Sequence, residues 1–321
     1  MRSKIPALSL HVALATICGL LLTALPSARQ APAPASTSSP SGAQVKTFDT
    51  PEQAMAAVIS AAEKFDLQAI EQIFGPAGKD ILVTAEPPRD RDIARTFADL
   101  AREKKSVSID PRNRNRAVIL VGPENWPFAV PLVRKNAKWS FDTAAGVQEV
   151  TYRRVGGNEL DVIEICQGFV EAQEAYALEK HDGAEVNQYA QRIISTQGKH
   201  DGLAWRTADG KWDGPIGENV ANAIDKGYAA GQPYRGYYFK VLKGQGPSAP
   251  LGQMDYIVKG AMIGGFALVA APAEYAVTGV KTFMVGNDGI VYEKDYGDAT
   301  LDEFKKMERF NPDTTWAPVK P

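Results

Sequence analysis

Residues 158–176, with the sequence NELDVIEICQGFVEAQEAY, decide the fold of the second half of this chain. Apolar residues recur there at steps of three and four, which is the spacing of one helix face. These positions are Val162, Ile165, Phe169, Ala172 and Tyr176. The pattern predicts an amphipathic helix over 158–182, with Asn158 as its N-cap and with Glu159 and Asp161 at the positive end of the helix dipole.

Short β-branched and aromatic runs follow this helix, and turn residues separate them. They are Tyr237–Leu242, Tyr256–Val258, Phe266–Ala270, Thr282–Val285 and Ile290–Tyr292. The triplet Asn287-Asp288-Gly289 between the last two is typical of a hairpin turn. Because the apolar stripe of the helix is broad, the sequence predicts a long helix packed on an antiparallel sheet.

The first half of the chain places helical patterns before strand patterns. Thr50 and Asp66 read as N-caps of two helices, and a third helix is predicted over Arg89–Lys104. Three strands are then predicted, at Ala117–Val121, Phe128–Val133 and Lys138–Phe141. The fold class is therefore α+β, and this element order resembles the NTF2-like helix-plus-meander fold.

The N-terminus has the layout of an export signal. A basic start and a short apolar run predict a cleaved signal peptide over residues 1–28, and a Pro, Ala and Ser-rich linker follows over 29–46. We therefore expect a periplasmic or secreted protein that keeps no transmembrane helix after cleavage. The remaining residues are long enough for two domains, predicted at 47–152 and 153–321.

Charge and cysteine content exclude several functions. The chain has 36 basic and 38 acidic residues, so no nucleic-acid partner is expected. Of its two cysteines, only Cys166 lies outside the signal segment, so no disulfide is expected within the mature chain. Cys166 falls on the apolar side of the predicted helix, which favours a buried thiol over a nucleophile.

Motifs spread over Thr47–Trp316 resemble the Domain of Unknown Function 2950 family of exported bacterial proteins. They include Trp126-Pro-Phe-Ala-Val-Pro-Leu-Val, Arg153-Arg-Val-Gly-Gly-Asn-Glu-Leu, Gly198-Lys-His-Asp-Gly-Leu-Ala-Trp and Gly236-Tyr-Tyr-Phe-Lys-Val-Leu. The second half also resembles the soluble part of type II secretion pseudopilins, which implies a pilin-like fold. The pseudopilin resemblance implies an exported protein for binding or assembly and implies no reaction. The family resemblance implies an exported protein whose function is not established.

His200-Asp201-Gly202 is the one segment that suggests catalysis. It could supply a general base with an orienting carboxylate, or half of a metal site. A plain turn is the favoured interpretation, since zinc sites show three or four strong ligands. An enzyme at this place would be a hydrolase that acts on an envelope polymer.

Cofactors are not predicted, although one ion is considered. Several loop acids could supply oxygen atoms to a calcium ion. They are Asp182, Glu185, Asp201, Asp209 and Asp213. The sequence has no dense calcium loop, so solvated acids are the favoured interpretation and no metal site is predicted.

Aromatic residues near glycines and prolines favour a binding function, because such rings often line glycan or peptide surfaces. Arg153 and Arg154 could bind an anion or form a salt bridge between domains, to Asp142 or Glu149. The candidate binding residues are Trp126, Arg153, Arg154, Asn158, Glu159, His200, Asp201, Trp205, Tyr234, Tyr237 and Tyr238. The sequence thus favours a non-catalytic binding or assembly module whose partner is an envelope protein or a glycan.

Overall fold

The computed structural model describes residues 45–78, 87–217, 221 and 233–320. The predicted signal peptide and nearly all of the predicted linker lie outside these ranges. The described part is a mixed α+β structure with several antiparallel sheets, as the sequence predicts. Its α-helices are α1 (Pro51–Lys64), α2 (Leu67–Phe74), α3 (Pro87–Glu103), α4 (Thr143–Tyr176) and α5 (Thr300–Lys306).

Two of the predicted helix starts are confirmed in atomic detail. Thr50 Oγ1 accepts a hydrogen bond from the Gln53 backbone N–H at 3.2 Å, and Gln53 Oε1 accepts one from the Asp49 N–H at 3.0 Å. The pair resembles a capping box, although Gln53 bonds the residue before the N-cap and not the N-cap N–H itself. Asp66 Oδ1 caps α2 through the Ala69 N–H at 3.0 Å.

The three N-terminal helices pack on a five-stranded antiparallel sheet. Its strands are β1 (Lys105–Ile109), β2 (Arg116–Val121), β3 (Trp126–Pro127), β4 (Leu132–Lys135) and β5 (Lys138–Phe141). Their order is β1-β2-β4-β5, and β3 pairs with β2. The core between helices and sheet includes Phe74 and Phe141, whose ring centroids lie 4.8 Å apart.

The predicted strand at Phe128–Val133 is correct only at its end, because β4 begins at Leu132. Pro127 and Pro131 flank the missing part, and proline has no N–H to donate to a sheet ladder. Phe128 instead gives its N–H to Ile119 O at 2.8 Å. The short turn that follows β4 has Asn136 and Ala137 at positive φ.

Helix α4 starts earlier and ends sooner than predicted. Its N-cap is Asp142, whose Oδ1 accepts from the Ala145 N–H at 3.3 Å, so the prediction of Asn158 as N-cap is wrong. Glu159 and Asp161 consequently lie inside the helix and not in its first turn. The helix ends at Tyr176, and a turn follows at Asp182 and Gly183, which have φ of 51° and 72°.

The early start of α4 reflects packing that the local sequence does not reveal. Gly146 lies so close to Val130 that an added Cβ would be 2.7 Å from its methyl groups. Val147 and Val150 pack on the first core, whereas Val162 and Cys166 belong to the second. The predicted domain boundary after residue 152 therefore falls within one continuous helix.

The second half of α4 packs on another antiparallel sheet, as predicted. The strands of this sheet are β9 (Tyr237–Leu242), β14 (Ala267–Pro272), β15 (Lys281–Gly286), β16 (Val291–Asp295) and β17 (Ala317–Pro318). Their order is β17-β16-β15-β14-β9, so β9 is an edge strand. Helices α4 and α5 both pack against β14, and all six β14 residues are buried.

Smaller strands complete the described chain. Three of them form one sheet, β6 (Arg192–Ile194), β7 (Gly202–Arg206) and β8 (Trp212–Asp213). Two further pairs are β10 (Gly244–Gln245) with β11 (Met254–Asp255), and β12 (Ile257–Val258) with β13 (Ala261–Met262). Among the helices in the described ranges, none combines the length and the apolar character that a membrane crossing requires.

Candidate functional site

Asn158, at the centre of α4, lies in a buried polar cluster. Its Oδ1 accepts a hydrogen bond from Arg89 Nη1 at 2.6 Å, and its Nδ2 donates to Thr278 O at 2.7 Å. Arg89 also forms a salt bridge with Asp161 at 2.8 Å. Asn158 is only 2 % exposed, so its amide joins α3, α4 and the loop before β15 and is not open to a ligand.

Glu159 has a similar structural role one residue further along. Its Oε1 accepts from the backbone N–H groups of Val280 and Lys281, at 2.9 and 3.0 Å, and so holds the start of β15. Tyr237, another predicted binding residue, is fully buried nearby and donates its hydroxyl to Lys281 O at 3.0 Å. Burial raises the pKa of Tyr237, and the charge of Glu159 adds to that rise.

A different arrangement surrounds Arg153, one turn earlier on the same helix. Its Nε pairs with Glu149 at 2.8 Å, which confirms the predicted partner, although both residues belong to α4 and the bridge joins no two domains. Arg153 Nη1 also donates to Pro127 O at 2.8 Å. This bond ties α4 to strand β3, next to Trp126.

Two exposed aromatic residues adjoin the partners of this bond in sequence. Trp126 is 58 % exposed and Tyr152 is 63 % exposed. Gln148 Nε2 donates to the Tyr152 hydroxyl at 2.7 Å. We call the surface of Trp126, Gln148, Glu149, Tyr152 and Arg153 the Trp126 patch. Sequence reasoning missed Tyr152, although an aromatic residue beside Arg153 and away from the apolar stripe was a visible signal.

The segment predicted as a possible catalytic centre has a different partner from the one expected. His200 Nδ1 lies 3.0 Å from Asp182 Oδ1, and the His200 backbone N–H donates to Asp182 Oδ2 at 2.7 Å. Asp201 instead accepts from the Thr196 N–H and hydroxyl, at 2.7 and 2.8 Å, and lies 3.4 Å from Arg192. Asp201 therefore closes its own turn, as the favoured turn interpretation predicts, and the His200–Asp201 pairing that the catalytic alternative requires is not formed.

Trp205 joins His200 to the end of α4. The rings of His200 and Trp205 meet edge to face, with centroids 4.7 Å apart. The His181 ring also contacts Trp205, with a centroid distance of 5.6 Å. His181 stacks on Tyr176 at 3.9 Å, and the Tyr176 hydroxyl donates to His200 O. The His200 side chain is 45 % exposed, so this histidine lies on an open turn with a carboxylate partner.

The charges around this turn act on Asp182. Burial pushes the pKa of Asp182 upward, but the hydrogen bonds from the His200 backbone and ring outweigh it. The pKa of Asp182 therefore lies below its usual value. For Tyr176, burial is the main cause that raises its pKa to about 12, and the charges of Asp182 and Asp201 add to it.

The other predicted residues lie apart from these two places. Tyr234 is half-buried before the edge strand β9, Tyr238 is half-buried within it, and Arg154 is half-buried on α4. Cys166 is fully buried, as predicted, and burial raises its pKa to about 12. A thiol with such a pKa is protonated at neutral pH and is a poor nucleophile.

The acids considered for calcium do not converge. Asp209 accepts from the Thr207 hydroxyl, Asp213 accepts from the Gly214 N–H, and Asp182 bonds His200. In the part of the chain that the structure describes, no group of three or more His, Cys, Asp and Glu side chains is placed to hold a metal ion.

These observations define an α+β protein with two hydrophobic cores joined by one long helix and with an exposed aromatic surface beside the first core. The chain belongs to the family described as Protein of unknown function (DUF2950), whose profile matches residues 45–319. No curated protein and no solved structure matches it.

Proposed function

We propose that this protein is an exported, non-catalytic binding module of the cell envelope, and that the Trp126 patch is its binding surface. Trp126 and Tyr152 are both exposed, and each adjoins in sequence one partner of the Arg153–Pro127 bond, and this carries the proposal. Large aromatic side chains gain most from burial, and folding does not bury these two.

The composition of the patch favours a protein partner over a glycan. Trp, Tyr and Arg are the residue types that contribute most to protein–protein affinity. Arg153 is already held by Glu149 and Pro127 O, so little of its conformational freedom remains to be lost on binding. A partner that covers Trp126 and Tyr152 would therefore find a partly pre-organised surface.

Capture from an envelope extract tests the proposal. The mature parent protein should retain a specific partner, and Trp126→Ala and Tyr152→Ala should each lose most of it. Leu251→Ala is the matched control, since Leu251 is 91 % exposed in another part of the chain. Equal capture by all variants would contradict the patch, and retention of purified envelope glycan in place of protein would reassign the partner class.

The export part of the proposal depends on residues 1–28, which have the layout of a signal peptide. The architecture supports the proposal of an envelope module. The three helices packed on the first antiparallel sheet have the element order of NTF2-like domains.

The long helix packed on the second sheet has the element order of pilin-like domains. Fractionation of cells that make the full chain and the chain without residues 1–28 tests export. Only the full chain should leave the cytoplasm.

A hydrolase is the second candidate, and one observation favours it. A histidine whose Nδ1 meets a carboxylate, as His200 meets Asp182 at 3.0 Å, has the pairing that orients a general base. Ser195 Oγ accepts from the Gly202 N–H at 2.9 Å within its own turn, and none of the described hydrogen bonds joins it to His200. An assay for soluble fragments released from an envelope polymer tests this candidate. Release by the parent that is abolished in His200→Ala would favour the hydrolase over the binding module.

A further inference from the structure

A basic cleft lies at the edge of the second sheet, away from the residues discussed so far. Its volume is about 540 Å³, which is within the usual range of small-ligand sites. Edge strand β9 and the β10–β11 pair form one wall, and the segment that follows α5 forms the other. The charged side chains that line the cleft are Lys240, Lys243, Lys305, Arg309, Asp255 and Glu308.

These side chains leave an excess of positive charge in a chain with a net charge of −2. Arg309 is already engaged, since Nη2 pairs with Asp255 at 2.5 Å and Nη1 donates to Gln245 O and Met254 O. Lys305 contacts Asp302 only at 3.5 Å, and Lys243 forms no salt bridge with another described residue. The available positive charge therefore comes from lysine ammonium groups.

Lys240 fixes one ammonium group deep in the cleft. Its Nζ donates to Phe304 O at 2.6 Å and to Lys305 O at 3.3 Å, and so binds the C-terminal end of α5. An ammonium group has three N–H bonds, so one remains for a ligand. Burial lowers the pKa of Lys240, and the charge of Glu308 partly offsets this.

We propose that this cleft binds a small molecule that carries phosphate groups. Ammonium groups act as point charges that suit phosphate oxygens in many orientations. A phosphate monoester carries about −1.5 to −2 charge at pH 7, whereas a carboxylate carries a single charge, so several lysines favour phosphate. The guanidinium of Arg309 is committed to Asp255, so the lysine charges would hold the ligand. Phosphate oxygens accept hydrogen bonds, so outward-facing N–H groups of edge strand β9 would add to the binding.

Calorimetric titration of the mature protein with tripolyphosphate tests the proposal. We expect saturable binding at one site, weakened by added salt as screening requires. Lys305→Ala should weaken it about fivefold, as expected for the loss of one charge close to the ligand. Lys306→Ala is the matched control, because the neighbouring Lys306 pairs with Glu303 at 2.8 Å and does not line the cleft.

A gain in affinity provides a second test that unfolding cannot imitate. Glu308→Gln removes a negative charge from the lining and should tighten tripolyphosphate binding about threefold. Glu171→Gln makes the same charge change on the outer face of α4 and should leave binding unchanged. Three results would each overturn the proposal: no saturable binding at low salt, equal effects of Lys305→Ala and Lys306→Ala, or citrate bound as tightly as tripolyphosphate.

Discussion

Two neighbouring stretches of helix α4 use their side chains in opposite ways. Around Asn158 the polar groups are buried or half-buried, and each has a partner from a distant part of the chain. Around Arg153 the polar groups bond to one another and to Pro127 O, and the aromatic rings of Trp126 and Tyr152 are exposed to solvent. Both stretches contain predicted binding residues. Only the second stretch has large aromatic side chains that remain exposed and that do not contribute to the core.

Among the polar side chains of the two stretches, Asn158 should have the largest effect on stability when it is replaced. Asn158→Ala removes the partners of Arg89 Nη1 and Thr278 O, so we expect the free energy of unfolding to fall by about 3 kcal/mol. Urea unfolding measures this. Gln167→Ala, on the exposed side of the same helix, should change it by about half a kcal/mol or less. A similar loss in both variants would remove the distinction between the two stretches.

Glu159→Ala should have the next largest effect. It leaves the N–H groups of Val280 and Lys281 without their acceptor at the start of β15, which should lower the free energy of unfolding by about 1–2 kcal/mol. Hydrogen exchange at these two amides should accelerate more than exchange in β14. Unchanged protection of both amides would show that Glu159 does not hold the strand.

Asp182→Asn tests the exposed turn at the end of α4, and its effect should be smaller. The pKa of Asp182 is lowered in the folded protein, so its charged form stabilises the fold above the unfolded pKa of about 3.9, and this contribution is lost as pH falls through the folded pKa. The variant should unfold at lower urea than the parent at pH 7, and the difference should shrink as the pH falls below about 4. A difference that grows in acid would contradict the pairing with His200.

The comparison also separates what the sequence could predict from what it could not. The caps at Thr50 and Asp66 were predictable because each bond joins residues three apart. Asn158 was read as a cap because asparagine favours that position, yet its partners lie 69 and 120 residues away in the chain. Pairing at such distances depends on tertiary packing, and local propensity does not contain it.

The same reasoning applies to the site residues. Tyr237 and Trp126 look alike in sequence, since each is an aromatic residue near glycine or proline. In the structure Tyr237 is fully buried and Trp126 is largely exposed, because β9 pairs with β14 whereas β3 is a two-residue strand beside β2. The His200–Asp182 pair was missed for another reason, since it joins two turns that are 18 residues apart.

Trp126→Ala should have the smallest effect on stability. The ring is 58 % exposed, so its removal should change the free energy of unfolding by about half a kcal/mol or less. Urea unfolding measures this loss, and Phe169→Ala is the variant for comparison. Phe169 is buried against Phe266, so its replacement should lower the free energy of unfolding by about 3–5 kcal/mol. A large loss for Trp126→Ala would mean that this ring serves the fold.

The most direct test of the binding proposal is the affinity of the captured partner for the parent, Trp126→Ala and Asn158→Ala, measured where all three are folded. Trp126→Ala should bind about 30-fold more weakly, as expected for an aromatic residue at the centre of an interface. Asn158→Ala should bind like the parent in spite of its lower stability. Parent-like affinity of Trp126→Ala, or a matching loss in Asn158→Ala, would contradict the proposal that the Trp126 patch is the binding surface.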